Sequence, residues 1–246
     1  MSARRRSARA VAAARIAPTA LLGRVGDDHA GRVLLANLDA AGVDRTGVAV
    51  AENEASGMSV AIVDAAGDYG AVIVSAANLG IDVAEAAIPA SVRVVLLQNE
   101  VPETANLALA ERARAAGARV FLNAAPARPF ETALRSLVDV LIVNRVEAAG
   151  LWGREVATTD DALAAARAVA ADGTAIVTLG AGGAVLADGD VHHRPAPPAD
   201  VVSTHGAGDA FTGALAAHMA QGAGLEAALI EAQSAAARHV ARGTAG

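Results

Sequence analysis

Between Val92 and Leu179 the chain repeats one pattern three times and closes on a fourth apolar run. Each repeat is a short run rich in Val, Ile and Leu followed by a helix-forming stretch. The runs Val92–Leu97, Val120–Leu122, Val140–Val143 and Ala175–Leu179 are of strand length and carry almost no polar residues. That is how strands buried on both faces read. The intervening stretches predict helices over Pro102–Ala116, ended by Gly117, over Pro129–Leu137, and over Thr158–Ala171. The last is opened by Thr158-Thr159-Asp160-Asp161 and stopped by Asp172-Gly173. Parallel strands joined through helices bury both sheet faces, so the expected fold class is α/β, a doubly wound parallel sheet flanked by helices.

Two regions depart from this rhythm. Met58–Val63, a turn at Gly67 and Ala71–Val74 read as antiparallel strands with no helix between them. Gly182-Gly183, Asp188-Gly189-Asp190 and Pro195–Pro198 punctuate a second antiparallel stretch. The last forty residues return to helix, split by Gly222-Ala223-Gly224. No linker long enough to separate two units is present, so one domain over 1–246 is expected, with a small antiparallel element within about 46–75.

Composition closes several alternatives. With no cysteine, disulfides, thiolate zinc sites and thiol nucleophiles are excluded. A net charge of −6 and an aromatic content of 2% argue against nucleic acid, which asks for positive charge and stacking surfaces. No apolar run reaches membrane-spanning length. The basic Met1–Ser7 segment leads into an alanine stretch interrupted by Arg15, so no signal-peptide core develops and a cytoplasmic protein is expected.

Ligands of open α/β sheets bind beyond the carboxyl ends of the strands. The polar residues there are Gln98, Asn99 and Glu100, then Asn123, then Asn144 and Glu147, then Thr178 and Gly180. Packing alone does not ask for them. Three segments carry candidate chemistry. Gly206-Ala207-Gly208-Asp209 opens an alanine-rich helix, where free backbone N–H groups and the helix dipole suit a phosphate. Asp209 is there either a helix cap or a base for an alcohol proton. Asn144 and Glu147 lie three apart at a strand-to-helix junction, where they form either a capping box or a Mg²⁺ organiser. Thr178-Leu179-Gly180-Ala181-Gly182-Gly183 either lets a ligand approach the backbone or turns a hairpin; it is neither a dinucleotide fingerprint nor a P-loop. A hydrolase triad of Ser203, His205 and Asp209 is disfavoured, because residues so close in sequence rarely adopt that geometry.

In this order the three segments resemble the ribokinase (PfkB) family of carbohydrate kinases. Gly206-Ala207-Gly208-Asp209-Ala210-Phe211 matches the family's specific C-terminal signature. Gly26-Asp27-Asp28-His29-Ala30-Gly31, Ala41-Gly42-Val43-Asp44, Ser56-Gly57, Val63-Asp64, Gln98-Asn99-Glu100-Val101-Pro102 and Asn123-Ala124-Ala125-Pro126 support it along the chain.

The resemblance implies ATP-dependent transfer of a phosphoryl group to a primary hydroxyl of a sugar, most nearly ribose. Asp209 would be the base, and Gly206, Ala207 and Gly208 the anion hole. Asn144, Thr178, Gly180, Gly183 and Gln233 would bind nucleotide, Glu100 would face the sugar, and Glu147 with Asn144 would organise Mg²⁺. A small antiparallel lid would fold over the sugar and offer a homodimer interface. Ser203 stands where the family has Asp, beside His205, so a monovalent-cation (K⁺) site does not carry over directly. Ala10-Val11-Ala12-Ala13-Ala14-Arg15 matches the helix after the family's Gly-Gly-Lys-Gly-x-Asn loop, whereas Arg5-Arg6-Ser7-Ala8-Arg9 does not match the loop. On that pattern the chain is expected to be truncated at its N-terminus, lacking a sheet strand and half of the sugar contacts. A nucleotide-binding remnant without activity, or a kinase of another sugar or a nucleoside, are the alternatives.

Overall fold

The computed structural model describes residues 2–63, 69–170 and 173–242. Its main sheet contains β5 (Val94–Gln98), β6 (Arg119–Asn123), β7 (Val140–Asn144), β8 (Thr174–Thr178), β9 (Ala184–Asp188) and β10 (Asp190–Arg194), side by side in that order, together with two smaller pairs: β1 (Gly23–Gly26) parallel to β2 (Val48–Ala51), and β3 (Met58–Val63) antiparallel to β4 (Tyr69–Val74). The strands from β5 to β8 run parallel, and β9 and β10 fold back antiparallel. The helices are α1 (Ser2–Ala14), α2 (His29–Ala40), α3 (Glu103–Ala115), α4 (Thr132–Arg135), α5 (Arg145–Trp152), α6 (Thr159–Ala170), α7 (Ala207–Ala220) and α8 (Leu225–Arg242).

Successive side chains of a strand point to opposite faces, and the two cores divide on that rule. Leu141 and Val143 of β7, with Leu122 and Val177, pack in the layer of α3 to α6. Val140 and Ile142, with Phe121 and Ile176, pack against Phe211, Leu215 and Leu229 of α7 and α8. The sheet is therefore covered on both faces, as its unbroken apolar runs require. Both cores are built from Ala, Val, Leu and Ile with few aromatic rings.

The expected elements appear with shifted ends. The first strand starts at Val94, because Val92 closes a turn to the Pro89 carbonyl. The helix expected over Pro129–Leu137 shrinks to the four residues of α4, since Glu131 is extended (φ −66°, ψ 152°) and the chain turns out again at Ser136. The β3–β4 hairpin has the expected antiparallel register, while its expected Gly67 turn lies outside the described residues. The strand β1 carries no clear apolar run at sequence level, since Gly23-Arg24-Val25-Gly26 offers a single apolar side chain.

What holds that early segment is Asp28. Its Oδ1 accepts from the Gly31 N–H at 2.7 Å and from Ser56 Oγ at 2.7 Å, and its Oδ2 accepts from the Ser56 N–H at 2.8 Å. Ser56 Oγ accepts in turn from the Gly26 N–H. One carboxylate thus caps α2 and ties the end of β1 to the chain after β2. Glycine is needed at Gly26, since a Cβ there would lie 2.1 Å from the Glu54 carbonyl oxygen. The hydrogen bonds from the Ser56 hydroxyl and N–H hold the Asp28 carboxyl below its ordinary value of 3.8. A depressed folded-state value stabilises the fold above the unfolded pKa, and that contribution fades as pH falls through the folded one. Asp28→Ala is expected to cost about 2 kcal/mol in denaturant melts at pH 7. The gap to the parent should close as the pH is taken below 3.8. A gap independent of pH would show that the carboxylate charge plays no part.

Candidate active site

The carboxyl ends of β6, β7 and β8 and the start of α7 enclose a crevice of roughly 430 Å³. Its lining includes Asn123, Asn144, Glu147, Thr178, Ser203, His205, Gly206, Gly208 and Asp209, which the sequence places up to eighty-six residues apart. The parallel strands bring them together: Asn144 pairs with Thr178 in register, and Asn123 sits one strand over, opposite Ile142. Asn123 Nδ2 donates to the Ile142 carbonyl at 3.0 Å, and Thr178 Oγ1 donates to the Val143 carbonyl at 3.3 Å.

The loop into α7 is held by α8. The Val202 and Ser203 N–H groups both donate to the Val240 carbonyl, and His239 Nε2 donates to the His205 carbonyl at 2.9 Å. Gly206 is the N-cap of α7 with φ 83°, a conformation that favours glycine, and a Cβ there would meet the His239 ring at 2.8 Å. Ala207 N–H closes a turn to the Thr204 carbonyl, so of the expected anion nest this donor is already used. Ser203 Oγ accepts from the His205 N–H at 3.3 Å, a local turn rather than a triad contact.

At Asn144 and Glu147 both halves of the capping box are present. Asn144 Oδ1 accepts from the Glu147 N–H, and Glu147 Oε2 accepts from the Asn144 N–H, each at 2.8 Å. Both side chains nonetheless border the crevice. The cap holds the pair at the junction of β7 and α5.

Other sequence candidates lie outside that lining. Glu100 is buried next to the end of β5. Gly180 and Gly183 belong to the tight turn between β8 and β9, and the constraint at Gly183 comes from protein backbone: a Cβ would lie 2.0 Å from the Arg194 carbonyl oxygen. Gln233 on α8 is buried and donates to the carbonyls of Arg194 and Pro195, which ties α8 to the chain after β10.

Sequence reasoning missed Arg9. It reaches from α1 into the crevice, and its Nε lies 2.9 Å from Oδ1 of Asp209. Both side chains are buried, 7% and 10% exposed. The two residues are two hundred positions apart, so no local pattern announces the pair. The placement follows from a close crossing of α1 over α7 at Gly213, one turn beyond Asp209.

Among the described residues no cluster of three His, Cys, Asp or Glu side chains could hold a metal unaided. Among the described residues no helix is long and apolar enough to cross a membrane.

Comparison with known proteins agrees with this geometry. The model of the "pfkB family carbohydrate kinase" matches residues 7–246. Ribokinase of Bacillus subtilis is 34% identical over 236 residues, 94% of this chain and 78% of its own length. The bifunctional ribokinase/ribose-5-phosphate isomerase A of Fructilactobacillus sanfranciscensis is 36% identical over 142 residues, 56% of this chain and 26% of that protein. The structure of Arabidopsis thaliana ribokinase complexed with ribose and ATP superposes with a TM-score of 0.82 at 29% identity, covering 95% of this chain and 80% of that one.

Proposed function

The chain belongs to the pfkB family of carbohydrate kinases, and from that premise we propose that it transfers the γ-phosphoryl group of ATP to the primary hydroxyl of a pentose, D-ribose in the first place. The observation that carries the reading is the buried Asp209 in the first turn of α7, facing a crevice that also presents Asn144, Glu147 and Thr178. The likeness to ribokinases over nearly the whole chain supports ribose as the acceptor.

In this mechanism Asp209 orients the sugar hydroxyl and takes up its proton, while the start of α7 receives the transferring phosphoryl group. The nucleotide lies along the ends of β7 and β8, with Asn144 and Thr178 beside its phosphates. The donor set fits Mg²⁺ held in the usual way for a nucleotide, through phosphate oxygens and waters with one carboxylate, and Glu147 would supply that carboxylate. Bound there, the ion would neutralise charge on the phosphates. Ser203 and His205 offer no carboxylate, so the charged ligand of the family's monovalent-cation site is not carried over to this chain. Gln233 and Gly183 act by shaping the nucleotide side through the 194–196 backbone. Glu100 is assigned to the sugar side, and the β3–β4 hairpin to a lid and a dimer contact.

Purified protein with Mg-ATP is expected to convert D-ribose to a phosphate monoester, read by coupled ADP release and ³¹P NMR. Calorimetry should show ADP binding in the micromolar to millimolar range usual for such enzymes. Nucleotide binding without phosphorylation of ribose, 2-deoxyribose or fructose would instead assign the chain as a nucleotide-binding remnant.

A further inference from the structure

Among the described residues that line the crevice Arg9 is the one arginine or lysine, and the crevice also holds Asp209 and Glu147 and would receive a polyphosphate. Its guanidinium is buried, yet only Nε is engaged, against Asp209 at 2.9 Å. That contact is ionic and not aligned as a hydrogen bond, and Nη1 is buried with no hydrogen-bond partner. A buried donor left unused is costly and uncommon, and it points to a group that arrives.

The backbone beneath Arg9 is not free to swing. At Gly213 a Cβ would lie 2.4 Å from the Arg9 carbonyl oxygen and 2.9 Å from Ala12 Cβ, so α1 is pressed directly on α7. The guanidinium is thus held over the carboxylate by a rigid helix crossing.

We propose that Arg9 is a further catalytic residue, whose Nη1 donates to an oxygen of the γ-phosphoryl group in flight while Nε keeps the Asp209 carboxylate in place. The proposal rests on the reading of Asp209 as the base. In the step, the bond from phosphorus to the β–γ bridging oxygen breaks and ADP leaves with its electron pair. The bond from phosphorus to the sugar oxygen forms, and the hydroxyl proton goes to Asp209. Arg9 transfers nothing; it meets the charge spread over the phosphoryl oxygens. A loose transition state asks little of the base, because little negative charge has built up on the attacking oxygen.

Arg9→Gln, which keeps most of the packing volume, is expected to lower kcat by roughly 10²–10³-fold with the ribose KM within about threefold, the loss typical of removing one transition-state donor. Arg9→Lys should lose less, and guanidinium ion should restore turnover to Arg9→Ala by at least about tenfold. A binding arm needs no turnover: ADP affinity should hold while affinity for ADP with aluminium fluoride falls by about 30-fold or more. Arg9→Gln turning over at or above the parental rate would overturn the proposal and make the arginine a brake. Parallel loss of ADP and ADP–fluoride affinity would overturn it too. Parental protein that phosphorylates no sugar would remove the kinase reading and this one with it, whereas an active parent indifferent to Arg9→Gln removes only this one.

Discussion

Asp209→Asn is expected to lower kcat for ribose phosphorylation by about 10²–10⁴-fold, the usual worth of a positioned general base. The amide keeps the carboxylate's shape but not its charge, so ADP affinity and ribose KM should change little while stability falls. Asp209→Ala should match it in activity and lose stability for the same reason. Removing the carboxylate leaves the Arg9 guanidinium buried, 7% exposed, without its counter-charge. Breaking a buried pair from one side costs about 3–5 kcal/mol. For a chain of this size that is a fall in Tm of roughly 6–20 °C. Measuring both variants by steady-state kinetics and thermal melting separates the two roles of one residue. Parental turnover in Asp209→Asn would dismiss it as the base. Melting points equal to the parent's in both variants would dismiss the ion pair as a structural contact.

The second large effect concerns a residue with no side chain. Gly213→Ala is expected to destabilise the protein by about 2–3 kcal/mol, because overpacking a tight contact forces the backbone apart. The added Cβ would meet the Arg9 carbonyl oxygen at 2.4 Å and the Ala13 amide nitrogen at 3.1 Å, neither of which a side-chain rotation relieves. In the middle of an exposed helix the same change would stabilise, since alanine is the better helix former by about 1 kcal/mol. The sign of the measured change therefore decides whether α1 packs on α7 as described. If it does, Gly213→Ala should also cost activity with kcat reduced more than ADP affinity, because separating the helices draws Arg9 away from Asp209. A melt at or above that of the parent would show that the crossing is absent.

Much of this architecture was legible before any coordinates. The runs at Val140–Val143 and Ala175–Leu179 read as strands covered on both faces, and the division of Leu141/Val143 from Val140/Ile142 between the two cores agrees with strand alternation. Asn123, Asn144, Glu147 and Thr178 were placed on one side of the molecule by the rule that parallel strands present their carboxyl ends together, and all four line the crevice. Where the reading offered two roles, the structure filled in the modest one without removing the other. Asn144 and Glu147 form a complete capping box and still border the crevice. Gly183 turns a hairpin, and its lack of a side chain answers to the Arg194 backbone. Gln233, at a position suggestive of nucleotide contact, spends its donor on two backbone carbonyls.

What the sequence determined by itself is the order and type of the main-sheet strands and the helices around them, and the Gly206-Ala207-Gly208-Asp209 helix start. These depend on periodicity, caps and turn residues within a few positions of each other. The tertiary structure alone decided that Arg9 lies on Asp209, that Gly213 sets the helix crossing, and that His239 closes on the loop before Gly206. Such contacts join positions tens to hundreds of residues apart. Their energy comes from burial and charge at one point in space, and a linear pattern carries no trace of which distant residue will occupy it.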